Sequence, residues 1–171
     1  GAVIGGEGNG GCGTIIINSG TVIATGCDDG AGIGGGKGGN GGDITINGGT
    51  VKGTIYDSNL GVLTSSDNTM NIYGKDNTAG NIANFNNYNF YLPAGTSNGD
   101  IILHLTDKAD TDMTNSKVTV RANGALNLYN NESVYLIKKE GGELLNTGMT
   151  QDVDLKVGVT ATITGTVEKK D

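Results

Sequence analysis

The chain has 171 residues, of which 32 are glycine, one is proline and none is tryptophan, so we expect a core built from Ile, Val and Leu rather than from large rings. Its length predicts one domain that buries roughly two-thirds of its unfolded surface. The net charge of -7 and the single arginine, Arg121, argue against a nucleic-acid partner, because the phosphate backbone requires clustered Lys and Arg. No apolar run approaches the roughly 18 residues of a membrane span. Since the sequence starts in mid-pattern at Gly1, we expect a fragment whose targeting segments lie outside it.

An internal repeat opens the chain, because residues 1–29 align without a gap with residues 30–58. The alignment places Ile4 on Ile33, Ile15 and Ile17 on Ile44 and Ile46, Asn18 on Asn47, and Gly20, Thr21 and Val22 on Gly49, Thr50 and Val51. Each unit reads as a short apolar strand, a glycine loop, an alternating strand, a bend and a third strand. The period of two indicates strands with one buried face. One unit cannot bury its own apolar face, so the repeat predicts an all-β, single-stranded parallel β-helix with strands about 4.8 Å apart. Asn18 and Asn47 would then begin an asparagine ladder.

The second half is still rich in strand-like segments, but after about Asn59 the glycine density falls and the spacing becomes irregular. These segments are LGVL from Leu60, TMNIYG from Thr69, YNFYLP from Tyr88, DIILHLT from Asp100, KVTVRA from Lys117, ALNLYN from Ala125, SVYLIKK from Ser133 and VDLKVGVTATITGTVE from Val153. Pro93 is expected to close the strand before it. We therefore predict one solenoid with regular 29-residue glycine-rich repeats over 1–58, and irregular coils with a C-terminal cap from Asn146 over 59–171.

The segments GAGIGGGKGGNGGDITINGGTV from Gly30, NIYGKDNTAGNIANFNNYNFYLPAGTSNGD from Asn71 and ALNLYNNESVYLI from Ala125 resemble the passenger region of Gram-negative autotransporter adhesins. The resemblance covers nearly the whole chain. It implies a right-handed parallel β-helix displayed at the cell surface, outside the Gram-negative outer membrane, and acting in adhesion or aggregation. It implies membrane attachment only through a barrel domain outside this chain, and it carries over no functional residue. The glycine-rich repeats also resemble surface proteins of gut anaerobes.

Two cysteines set this chain apart from such passengers, which are usually poor in cysteine. Cys12 and Cys27 lie 15 positions apart within one repeat. A disulfide between them would stabilise the fold by about 3 kcal/mol in the chain-entropy model. An extracellular context permits that bond, and two free thiols are the open alternative.

No motif predicts a metal or a cofactor. The segment around Asp43 partly fits a calcium nonapeptide, but Thr45 takes the place of the large apolar residue and the period is wrong, so we expect a solvated acid. The glycine run Gly34 to Gly39 is followed by a strand, whereas a dinucleotide or phosphate site requires a helix N-terminus. His104, the only histidine, is predicted to lie on the surface of a strand.

The leading functional hypothesis is a non-enzymatic scaffold or adhesin that binds surface glycans, matrix proteins or other cells. Tyr73, Tyr88 and Tyr91 are the predicted contact rings. A polysaccharide-active lyase or hydrolase is the alternative from another class. Its carboxylates would come from the cluster Asp107, Asp110 and Asp112, beside Lys108. A purely structural stalk, and self-association through strand edges, are the remaining alternatives.

Overall fold

The structure, a computed structural model, describes residues 2–8, 10, 12–26, 31–39, 42–52, 54–56, 69–83, 85–114, 116–145, 151–157 and 161–167. These residues form eighteen β-strands and no helix. In chain order the strands are β1 (Ile4–Gly5), β2 (Thr14–Ile17), β3 (Thr21–Ile23), β4 (Ile33–Gly34), β5 (Asp43–Ile46), β6 (Thr50–Lys52), β7 (Thr54–Tyr56), β8 (Thr69–Tyr73), β9 (Asn77–Ala79), β10 (Asn81–Ala83), β11 (Asn87–Pro93), β12 (Ile101–Leu105), β13 (Thr111–Asp112), β14 (Lys117–Asn123), β15 (Tyr135–Lys139), β16 (Leu144–Leu145), β17 (Gln151–Val157) and β18 (Ala161–Val167). As predicted, Pro93 closes its strand.

Three parallel sheets form the sides of a β-solenoid of about four turns. Sheet A has the order β1-β4-β7-β10, sheet B the order β14-β11-β8-β5-β2, and sheet C the order β15-β12-β9-β6-β3. Neighbouring strands in each sheet are three apart along the chain, because every turn adds one strand to each side. This is the connectivity of a parallel β-helix, and it confirms the predicted fold class.

The 29-residue repeat sets the register of the first two turns. Ile4 pairs with Ile33 in sheet A, Ile15 with Ile44 in sheet B, and Val22 with Val51 in sheet C. At the bend after β2, Asn47 Nδ2 donates a hydrogen bond of 2.7 Å to Asn18 Oδ1. The predicted stacking and the first step of the predicted asparagine ladder are therefore confirmed.

The core lies between the three sheets and contains both aliphatic and aromatic side chains. The largest buried side chains are Tyr88, Phe85, Phe90, Ile33, Ile44, Ile46, Ile55, Met70, Ile72, Ile82, Leu92 and Ile102. The rings of Phe85 and Tyr88 meet edge to face, with their centroids 5.7 Å apart. The expectation of a core without large rings is thus wrong, because three aromatic residues, Phe85, Tyr88 and Phe90, are buried in it.

The glycine loops between β1 and β2 and between β4 and β5 stack at very short range. A Cβ atom on Gly36 would lie 2.0 Å from the carbonyl oxygen of Glu7, and one on Gly39 would lie 2.1 Å from that of Gly10. By contrast, a Cβ on Gly8 would have no neighbour within 4 Å. The close backbone contacts therefore require glycine at positions 36 and 39 of the second loop, whereas position 8 of the first loop has room for a side chain.

Beyond β10, a buried side chain continues the stacking on the sheet A side. Asn81 Nδ2 donates a hydrogen bond of 2.9 Å to the carbonyl oxygen of Asp110. Asn81 Oδ1 accepts hydrogen bonds from the Thr111 hydroxyl and from the backbone N–H of Ile82. The amide thus joins β10 to β13, which pairs onward with β16. Because its donor and acceptor are both satisfied, Asn81 can be buried at this junction.

A hairpin packs against the β14 end of sheet B. The hairpin β17–β18 is antiparallel, and β17 contacts β14, the last strand of the sheet. This is the place that a C-terminal cap would occupy. The predicted change from regular to irregular coils near Asn59 and the LGVL segment lie outside the described residues.

Candidate binding face

Three columns of outward side chains on sheet B run across the turns of the solenoid. The columns are Thr14, Asp43, Thr69, Asn87 and Lys117; Ile16, Thr45, Asn71, Asn89 and Thr119; and Tyr73, Tyr91 and Arg121. Side chains between them point inward, as the burial of Ile44, Ile72 and Phe90 shows. We call this set of outward residues the sheet B face.

Amide and hydroxyl groups of the middle column are hydrogen-bonded from one turn to the next. Asn71 Nδ2 lies 3.4 Å from Thr45 Oγ1, and Asn89 Nδ2 donates a bond of 2.9 Å to Asn71 Oδ1. A carboxamide has two N–H donors and two acceptor lone pairs, and the ladder takes one donor and one lone pair of Asn71. The remaining groups of this half-buried side chain can bond to a ligand.

The third column contains a stacked pair of tyrosines. The ring centroids of Tyr73 and Tyr91 are 4.1 Å apart and the rings are inclined by 1°. Burial raises the pKa of Tyr73 most, and the hydrogen bond and electrostatic interaction with Tyr91 raise it further. The positive charge of Arg121 acts in the opposite direction. The Tyr73 phenol therefore stays protonated at neutral pH and can donate as well as accept a hydrogen bond.

Tyr88 does not belong to this face, which corrects the prediction that grouped it with Tyr73 and Tyr91. It is fully buried, and its hydroxyl accepts a hydrogen bond of 3.3 Å from the backbone N–H of Phe85. Tyr88 and Tyr91 are three residues apart on one strand, so they point to opposite sides of the sheet. Strand alternation in YNFYLP was a signal that could have placed Tyr88 inside.

Sequence reasoning missed most of the polar residues of the face. Asn71, Asn89 and Thr119 carry no motif, and they become neighbours only through the parallel register of β8, β11 and β14. The alternation of side chains along each strand indicates which residues point outward, but it does not show which strands are adjacent.

The carboxylates of the acidic cluster in the alternative hypothesis bond to backbone N–H groups. Asp107 Oδ1 accepts from the backbone N–H of Ala109 at 3.1 Å, Asp110 Oδ1 from that of Glu143 at 2.8 Å, and Asp112 Oδ1 from that of Thr114 at 2.9 Å. Lys108 and Asp107 are exposed. Each carboxylate thus has its own backbone donor. Among the described residues, no group of three or more His, Cys, Asp or Glu side chains is placed to hold a metal ion.

Two further residues singled out from the sequence lie away from the face. His104 lies on the outward side of β12, half-buried, and its Nε2 is 3.2 Å from Glu140 Oε1. Cys12 is half-buried, and burial raises the pKa of its thiol, which disfavours the reactive thiolate. Cys27 lies outside the described residues, so both alternatives for the cysteine pair stay open.

Asp43 is exposed on the sheet B face.

An ion pair holds the corner between sheets B and C. Lys75, which follows β8, donates from Nζ to Asp100 Oδ2 at 3.0 Å, and the Ser97 backbone N–H donates to the same oxygen at 2.9 Å. The Ser97 bond and the Lys75 contact hold the pKa of Asp100 below its ordinary value.

Replacing Asp100 by asparagine is expected to remove a pH-dependent part of the stability. The pKa of Asp100 is lower in the folded state, so its contribution is present above the unfolded pKa of about 3.9 and is lost as pH falls through the folded pKa. Urea unfolding at several pH values should therefore show a wild-type advantage over Asp100→Asn at neutral pH that is lost as the pH falls through the lowered pKa of Asp100. Asp76→Asn, at an exposed neighbour, is the charge-matched control. A pH-independent advantage would contradict this assignment.

In the described part of the chain, no helix is long and apolar enough to span a membrane. No family model, no curated protein and no solved structure matches this sequence. The function of the sheet B face is therefore argued from its geometry and chemistry.

Proposed function

We propose that this chain is a non-enzymatic solenoid, displayed at the cell surface, that binds glycan chains along the sheet B face. The observation that carries the proposal is the stacked pair Tyr73 and Tyr91 beside the ladder of Asn71 and Asn89. Aromatic carbon and paired polar groups thus lie side by side on one accessible surface. Display as an autotransporter passenger belongs to the same proposal and rests on the sequence resemblance.

The chemistry of the face suits a sugar chain. Sugar hydroxyls both donate and accept hydrogen bonds, as do the carboxamides, the phenols and the Thr hydroxyls of the three columns. Adjacent strands repeat these groups about every 4.8 Å, so an extended chain meets similar partners at each turn. Tyr supplies a ring for the apolar side of a sugar and a hydroxyl for its polar side.

A structural stalk is the second candidate, and the same ladder supports it. The Asn71 and Asn89 side chains bond to each other, and each tyrosine covers one ring face of the other. Such contacts stabilise neighbouring turns without any ligand. The stalk and the glycan-binding solenoid therefore share a fold and differ in whether the face binds.

Binding of the purified chain to an array of glycans and matrix proteins separates the two candidates. Sedimentation of the same sample checks that it is folded and not self-associated. We expect saturable binding to selected glycans, and we expect Tyr91→Ala to weaken it about tenfold, as truncation of a central interface tyrosine does.

Tyr135→Ala is the matched control for this experiment, because Tyr135 is an exposed tyrosine, 46% accessible, on a strand of sheet C. It should leave glycan binding unchanged. Equal loss in both variants would show that the sheet B face is not the site. A folded, monodisperse chain that binds nothing on the array would support the stalk instead.

A further inference from the structure

We infer that the sheet B face selects acidic polysaccharides and binds an anionic group of the sugar at Arg121. This inference rests on the proposed glycan binding and specifies the class of glycan. It is carried by the placement of charge on the face and by the surroundings of Arg121.

The charge of the face is opposite to that of the whole chain. The sequence has 18 acidic and 11 basic residues and a net charge of -7. The three columns, however, contain two cations, Lys117 and Arg121, and one acid, Asp43. Asp43 is on β5, three strands from the cations on β14, which is a separation of about 14 Å. Within the three columns, the β14 end therefore carries two positive charges and no negative one, which suits an anionic ligand.

Arg121 is available to a ligand. Its side chain is exposed. The ion pairs among the described residues join Lys75 to Asp100 and His104 to Glu140, and neither involves Arg121. A guanidinium group presents a planar fork of donors that fits a carboxylate or sulfate in a bidentate manner. The positive charge of Arg121 acts to lower the pKa of Tyr73, although burial and Tyr91 raise it by more.

The residues beside Arg121 favour a saccharide over other polyanions. Tyr91 pairs with Arg121, and Asn89 pairs with Thr119, which precedes Arg121 by two residues on β14. A sugar with its anionic group at the guanidinium would therefore place its hydroxyls against an amide, a phenol and an alcohol. Nucleic acids are bound through many phosphate contacts, for which two cations are a small number.

Polygalacturonate and its fully methyl-esterified form provide a matched test, because they share a sugar backbone and differ in charge. Equilibrium binding by the intact chain should be at least about tenfold tighter to the acidic form, as for one charge-assisted bidentate contact. Arg121→Gln should remove most of this preference. Added salt should weaken wild-type binding to the acidic form more than binding by Arg121→Gln.

Lys138→Gln is the control, because Lys138 is exposed on the outward side of sheet C and its loss changes the net charge equally. It should retain the preference for the acidic form. Urea unfolding of all three proteins confirms that they are folded. Single-stranded DNA that binds as tightly as polygalacturonate would overturn the inference in favour of general attraction to polyanions.

The remaining outcomes distinguish this inference from the proposed function. Equal affinity for the two forms, or an acidic preference that survives in Arg121→Gln, overturns the assignment of the anion to Arg121 and leaves glycan binding intact. Binding to neither form, together with a glycan array that shows no ligand, overturns both. Selective binding of neutral glycans on the array, without binding to polygalacturonate, overturns the inference alone.

Discussion

Replacing Phe90 by alanine is expected to lower the free energy of unfolding by about 3–5 kcal/mol. Phe90 is only 1% exposed and lies in β11, an interior strand of sheet B, with Tyr88 and Leu92 on the same inward side. Removing its ring eliminates buried apolar area and leaves a cavity that a stacked solenoid fills poorly. Since whole domains are stable by about 5–15 kcal/mol, this change alone removes a large part of the stability.

Tyr91→Ala is the matched control for Phe90→Ala, because the two residues are neighbours on the same strand and face opposite sides. It should lower the free energy of unfolding by about 0.5–1.5 kcal/mol, the contribution of its stack on Tyr73. Urea unfolding followed by circular dichroism measures both values. If Phe90→Ala does not fold, Phe90→Leu, with an expected loss of about 1 kcal/mol, keeps the comparison measurable. Equal losses at Phe90 and Tyr91 would mean that β11 does not have the inward and outward sides described above.

The regular half of the fold was predictable because a repeat without gaps fixes both the period and the register. Asn18 and Asn47 occupy the same place in two repeats, and they meet as the alignment requires. The inward positions of the first two turns follow from the same alternation, which places Ile17 over Ile46. No knowledge of tertiary structure was needed for these pairs.

The candidate site was not predictable in the same way, because the number of residues per turn changes along sheet B. The contact of Asn18 with Asn47 spans 29 residues, that of Thr45 with Asn71 spans 26, and that of Asn71 with Asn89 spans 18. Strand adjacency then depends on loop lengths and on packing between turns. The Tyr73 and Tyr91 stack exists only because the third interval is short.

Tyr88 was wrongly predicted to lie on the binding face because it was chosen by residue type, without regard to the alternation of side chains along its strand. The three tyrosines were grouped because tyrosine is common in binding sites, whereas alternation assigns Tyr88 to the side of Phe90 and Leu92. Composition misled in a related way, because a low aromatic content says nothing about where aromatic residues lie. Phe85, Tyr88 and Phe90 lie within six positions and all enter the core.

Replacing Gly36 by alanine is expected to lower the free energy of unfolding by about 3 kcal/mol, although it adds one methyl group. That methyl would lie 2.0 Å from the carbonyl oxygen of Glu7 and 2.4 Å from its carbonyl carbon. Both are backbone atoms, so relief requires the two stacked loops to separate. Such a separation would strain the pairing of β1 with β4 and of β2 with β5.

Two substitutions in the first glycine loop isolate this steric effect. Gly8→Ala adds the same methyl group where nothing lies within 4 Å, and a gain of up to about 0.5 kcal/mol is expected from the stiffer unfolded chain. Glu7 holds the place of Gly36 in the preceding repeat, yet its side chain is exposed. Glu7→Ala should therefore change stability by less than about 0.5 kcal/mol. Urea unfolding of the three variants tests the assignment, and equal stability of Gly36→Ala and Gly8→Ala would show that the loops are not in close contact. A large loss of stability in Gly36→Ala alone would show why glycine is required at this position. The cause would be the close contact between successive turns, and not the backbone conformation of the loop.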